Sequence, residues 1–217
     1  MTNIRPVRIA FDSWKIRPIY ENAVRTAAAA GLTDLSNYLL YNFDEEPADL
    51  YRRMKLSVDL SEELNVAIYS FPMKYHPIDD PRWFRNRDFI GAKWSKKYVR
   101  AVQAVLTSTH GKVGRSKQFF EAAFGVDEAE FHEIMMMPEA LIIHRFEHDQ
   151  AKRERFGKIA DYPNGDNLTD QWREALSALT AEQRAMINPI IHRNRFTDSD
   201  INIDDPAVLE VLHFYQT

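Results

Sequence analysis

Three apolar runs separated by two segments of helix length constrain this chain more than any other feature. The runs cover residues 7–14, 35–43 and 66–73. Between the first two, Pro18 opens a helix in which Tyr20, Ala23, Val24, Ala27 and Ala28 keep helical spacing, and Gly31 is a natural stop. Between the second and third, the acidic turn Asp44-Glu45-Glu46 leads into a helix with Pro47 in its first turn. Its Leu50, Met54, Val58 and Leu64 are expected to face inward, and Arg52, Arg53 and Lys55 outward. Pro72, which has no N–H for a ladder, is expected to mark the end of the third strand. Strand, helix, strand, helix, strand is the order of a parallel sheet covered by its own crossovers, so the fold class is α/β with a three-stranded parallel βαβαβ unit.

Beyond Pro77 the strand-and-helix alternation stops and a mainly α-helical region follows. Helical spacing covers residues 93–109, Ser116 caps a helix closed by Gly125, and Asp127 caps another running to Met136. Pro138 opens a helix expected to reach about residue 157. Residues 161–170, with Pro163, Asn164 and Gly165, read as a linker. Thr169 or Thr180 and then Asp205 open the last helices. The expected domains are therefore 1–80, 81–160 with a basic aromatic segment, and 161–217 as a helical appendage.

The sequence has 217 residues and no cysteine, which excludes disulfides, thiolate nucleophiles and any iron–sulfur cluster held by this chain's own cysteines. No run approaches the ~20 apolar residues of a membrane span. The amino-terminal residues lack a hydrophobic signal region, so a cytoplasmic location and no membrane partner are expected.

In open α/β sheets, ligands bind outside the carboxyl ends of the strands. That rule brings Asp12, Asn42, Asp44 and the segment from Ser70 to His76 to one face.

The three strand ends carry a resemblance. Ile9-Ala10-Phe11-Asp12, then the run from Tyr38 through Asn42, Asp44, Glu45 and Pro47 to Asp49, then Ile68-Tyr69-Ser70-Phe71-Pro72-Met73, resemble the last three strands of the partial barrel in the radical S-adenosylmethionine (SAM) family. In that family the middle strand often ends in a Gly-Glu-Thr-x-Glu-Asp turn opening a helix; here only the acids at Glu45 and Asp49 agree with it. The family's cysteine triplet is missing.

The resemblance implies a carboxyl-terminal half-barrel that binds S-adenosylmethionine through Asp12, Asn42, Asp44, Glu45 and Ser70. Asp12 or Asn42 would meet ribose hydroxyls and Glu45 would fix the turn. It also implies an iron–sulfur cluster not on this chain, so the chain is not competent alone. Independently, three parallel strands leave unpaired edges. Another chain, or an amino-terminal half, is expected to cover them.

A second function class comes from charge. Residues 82–117 hold ten Lys or Arg and one acid, a local balance of +9 against −13 for the remainder. Arg82, Arg85, Arg87, Lys93, Trp94, Lys96, Lys97 and Arg100 combine cations with possible stacking faces, the ingredients of a nucleic-acid or polyanion surface. Trp94 also stands at core spacing. His144 and His148, four apart, can present two imidazoles to one metal, but HRFEH lacks the positioned base of a metalloprotease and such a pair is more often an exposed one. Met135, Met136 and Met137 read as core filling.

Overall fold

The computed structural model describes residues 6–79, 88–113, 116–145, 165–197, 201 and 203–216. Arg82, Arg85, Arg87 and His148 lie outside the described residues, as does the expected helical stretch 146–157. The fold is α/β, a three-stranded all-parallel sheet with helices between its strands, followed by a mostly helical region. The described residues fall into two compact units, Met1–Trp94 with Leu106–His132, and Ser95–Val105 with Glu133–Thr217.

In the first unit the strands are β1 (Val7–Arg8), β2 (Asp34–Tyr41) and β3 (Ala67–Lys74), in spatial order β1-β2-β3. β2 and β3 pair without a break from Asp34↔Ala67 to Tyr41↔Lys74. β1 is shorter than the expected run 7–14. Its ladder holds Val7 and Arg8 against Leu35 and Ser36, and Ile9 N–H and Phe11 N–H then donate to Ser36 and Tyr38 carbonyls at 2.8 and 3.2 Å. Ser13 ends it by capping a 3-10 turn at Trp14–Ile16, its hydroxyl accepting from Lys15 N–H. Pro72 does not end β3, which continues to Lys74. As a strand at the sheet's edge, β3 can omit that donor.

The crossover helices are α1 (Arg17–Ala29) and α2 (Pro47–Glu63). α1 ends where Gly31 adopts φ +81°, and α2 starts with Glu46 N–H donating to the Asp49 carboxylate at 3.1 Å. One buried side chain fixes where both helices lie. Asn37 Nδ2 donates to Tyr20 of α1 at 2.7 Å and to Ser57 of α2 at 2.9 Å, so both helices cover the face of the sheet that Asn37 occupies. The core under them contains Phe11, Tyr20, Val24, Leu35, Leu39, Leu50, Met54 and Val58. Phe11 stacks on Tyr20 with ring centroids 4.0 Å apart.

Arg53 corrects the expected outward set of α2: it is 1% exposed. Leu50, Arg53, Met54, Ser57, Val58 and Ser61 are all buried and form one stripe at spacings of three and four. Arg53 lies inside that stripe despite its charge. Farther along this unit are α4 (Lys117–Phe124) and the start of α5 (Glu128–Met136). Tyr51 of α2 packs against Phe120 and Phe131, and its hydroxyl donates to the Gly125 carbonyl at 3.1 Å. Gly125 is required there, because at φ +95° an added Cβ would come within 2.8 Å of Phe131 N.

The second unit is helical: the start of α3 (Lys96–Ser108), the end of α5, α6 (Glu139–His144), α7 (Gly165–Ala178), α8 (Ala181–Arg193) and α9 (Pro206–His213). α7 begins inside the stretch that reads as a linker. Thr180 and Gln183 cap α8 reciprocally and Asp205 caps α9. The core of this unit holds Val99, Val102, Met137, Leu141, Trp172, Ile187, Val208 and Leu212, so the methionine run contributes packing. Among the described residues no helix is long and apolar enough to cross a membrane.

Candidate functional site

The two faces of the sheet differ in kind. Leu35, Asn37 and Leu39 of β2, with Ile68 and Ser70 of β3, lie under α1 and α2. Strand alternation sends Arg8, Ser36, Tyr38, Phe71 and Met73 to the other side. There Tyr38, Phe71 and Met73 are 37, 45 and 49% exposed. Tyr38 and Phe71 lie with ring centroids 6.0 Å apart, and the Arg8 guanidinium carbon sits 5.6 Å from the Tyr38 ring centre.

At the carboxyl ends of the strands, Arg53 gathers the acidic turn. Its terminal nitrogens donate to the Phe11 carbonyl at 2.8 Å and the Leu40 carbonyl at 2.7 Å, and its Nε donates to the Asp49 carbonyl at 3.2 Å. The Glu45 carboxylate stands 3.9 Å from Arg53 Nε and also accepts from the Ser13 hydroxyl and from Trp14 N–H at 3.1 Å. Burial pushes the Arg53 pKa down, and the neighbouring charges of Glu45, Asp12 and Asp49 oppose that shift. This arrangement holds the segment after β1, the end of β2 and the start of α2 together, since one guanidinium donates to carbonyls of Phe11, Leu40 and Asp49.

The site residues expected from the sequence therefore take different positions. Asp12 and Glu45 both face Arg53; Asp12 is exposed and accepts weakly from Leu40 N–H at 3.3 Å. Asn42 is buried in a left-handed conformation, φ 66°. Its Oδ1 accepts from Gly91 N–H at 2.9 Å, and its Nδ2 donates to the Phe89 and Tyr75 carbonyls at 2.9 and 3.4 Å. Asn42 thus anchors residues 89–91 at the strand end. Gly91 is needed for this approach, because an added Cβ would lie 2.5 Å from the Phe43 carbonyl oxygen. Asp44 is exposed. Ser70 is buried in register with Asn37, on the helix-covered face.

The basic segment is divided as well. Trp94 is buried, donates from Nε1 to the Glu45 carbonyl at 2.7 Å and packs against Tyr41, with ring centroids 5.6 Å apart. Lys93 and Lys96 are exposed, and Lys93 lies 3.8 Å from Glu46. Lys97 is fully buried, and Arg100 makes a two-pronged pair with Glu139 at 3.1 and 2.7 Å. His144 is half-buried, and among the described residues no three His, Cys, Asp or Glu side chains form a metal-binding group.

Sequence reasoning missed Arg53 and the open face. Arg53's place in the period of Leu50, Met54, Ser57 and Ser61 was the available signal. For the open face it was that Asn37, a polar residue inside an apolar run, must be partnered if buried. Compared with known proteins, the chain matches no family model, no curated protein and no solved structure.

Proposed function

We propose that the first unit is one arc of a radical SAM-like barrel, which binds S-adenosylmethionine at its strand ends within a larger or multi-chain enzyme. The observation that carries this reading is one-sided helix cover: strands in sequential order, both crossover helices on the Asn37 face, and Tyr38, Phe71 and Met73 partly exposed on the opposite face. A doubly wound sheet puts helices on both faces, whereas a singly wound barrel keeps all of them outside and turns the other face to its interior.

The residues present fit the two groups differently. Asp12 is an exposed carboxylate at a strand end and offers acceptors for ribose hydroxyls. Both ends of the Asn42 amide are engaged by residues 75, 89 and 91, so on this reading the ribose contact falls to Asp12. An iron–sulfur cluster has no thiolate ligand on this chain, and redox cleavage of SAM is assigned to no residue here. What these side chains do is bind and orient.

Saturation-transfer NMR with SAM tests the reading. Transfer to the adenine protons is expected, with loss in Asp12→Ala and retention in Ser70→Ala; no transfer to the wild-type chain, or equal transfer to all three, overturns it.

A further inference from the structure

The open face carries a polar row that the strand-end reading does not use. Register places Arg8, Ser36 and Tyr69 side by side across β1, β2 and β3. Ser36 is only 2% exposed, and its hydroxyl has no hydrogen-bond partner. A buried hydroxyl without a partner is unusual enough to require an explanation. Its neighbour Arg8 is exposed and lies within ion-pair distance of no acid among the described residues. Toward the carboxyl ends the row gives way to Tyr38, Phe71 and Met73, all partly exposed.

We propose that this face binds a small carboxylic acid with a planar apolar body, its carboxylate on Arg8 and its ring across Tyr38 and Phe71. One guanidinium matches a monoanion in charge and in its two-pronged geometry. A dianion would leave a charge uncompensated beside apolar rings. Strand spacing of about 4.8 Å makes the three-strand face roughly 10 Å across, the width of one or two fused rings. In the free protein the Arg8 guanidinium rests over Tyr38. A carboxylate that draws it off the ring also brings an acceptor to the Ser36 hydroxyl beside it.

The inference uses the face that the barrel reading turns inward, but depends neither on SAM nor on a partner chain. Its test is titration of the isotope-labelled full chain with 2-naphthoate and, separately, with neutral 2-naphthamide, followed by amide chemical shifts. The acid is expected to shift residues 8, 36, 38 and 71 and to bind about tenfold more tightly than the amide, the contribution of one charge-assisted pair. Arg8→Gln, an exposed position, should remove the preference for the acid, and Phe71→Ala should weaken both ligands alike. Equal affinity of acid and amide, shifts confined to other residues, or no binding of either ligand overturns the inference. Naphthoate binding by a chain that gives no SAM transfer removes the barrel reading and keeps this one; SAM transfer without naphthoate binding does the reverse.

Discussion

The two faces of one small sheet are built by opposite rules. On the Asn37 face Leu35, Leu39 and Ile68 are buried, and the Asn37 amide nitrogen donates to Tyr20 and Ser57, with Ser57 donating on to the Arg53 carbonyl at 2.9 Å. Burial raises the Tyr20 pKa, with the Ser57 and Asn37 hydrogen bonds opposing the shift. On the other face two rings and a thioether meet solvent, and the Arg8 cation lies over one ring with no acid in ion-pair reach among the described residues. The first face makes the fold, and the second is free to do something else. Apolar side chains exposed together, as distinct from singly, are the signature of a surface with a partner or ligand.

The comparison breaks most visibly at Arg53. Arg53→Met should destabilise the chain by about 3–5 kcal/mol, because it strips donors from the Phe11 and Leu40 carbonyls and leaves Glu45 without its cation. Chemical denaturation of the variant checks this, and a loss near zero would mean the strand-end network is dispensable. Leu39→Ala on the covered face should cost about 3 kcal/mol by the same measurement, as a fully buried leucine does.

A second buried cation sharpens the contrast by being poorly served. Lys97 in the helical unit donates to the Met137 carbonyl and lies 5.8 Å from the Tyr215 ring centre. Burial pushes its pKa down to about 8; Glu139 opposes that shift and Arg100 adds to it. The unfolded chain holds this proton up to its ordinary pKa, so between about pH 8 and 10 it binds more protons than the folded one and stability rises with pH. Above that window stability falls again, because burial raises the Tyr215 pKa and the unfolded tyrosine ionises first. Across the window the gain approaches roughly 3 kcal/mol at most. Lys97→Met should flatten it in thermal melts run at several pH values; an unchanged slope would place the effect elsewhere.

The smallest effects belong to the open face. Tyr38→Ser and Phe71→Ser should each cost about 1 kcal/mol, well below the loss at Leu39, although both residues sit in the same strands as Leu39 and Ile68. A loss of core size at either position would mean that the face is covered.

The legibility of this arrangement followed chemistry that is local. Pro18, Gly31, Pro47, Ser116, Thr180 and Asp205 announce helix ends by their own backbone preferences, and those ends fall close to where they stand. Parallel pairing followed from alternating strands and helices. Charge misled where tertiary partners decide. Arg53 and Lys97 are buried because carbonyls from other elements receive them, and no local pattern records such acceptors. Asn42 and Glu45 are polar residues at strand ends, as ligand-binding residues are, but they serve residues 89–91, 13 and 14. Which face of β2 stays bare depends on both helices choosing the same side, and the run Tyr38-Leu39-Leu40-Tyr41 is apolar toward both.

Hydroxyl-radical footprinting read by mass spectrometry tests the one-sided sheet most directly. The account predicts rapid oxidation of Tyr38, Phe71 and Met73 beside protection of Leu35, Leu39 and Ile68 in the same strands. Equal protection of both sets would contradict it.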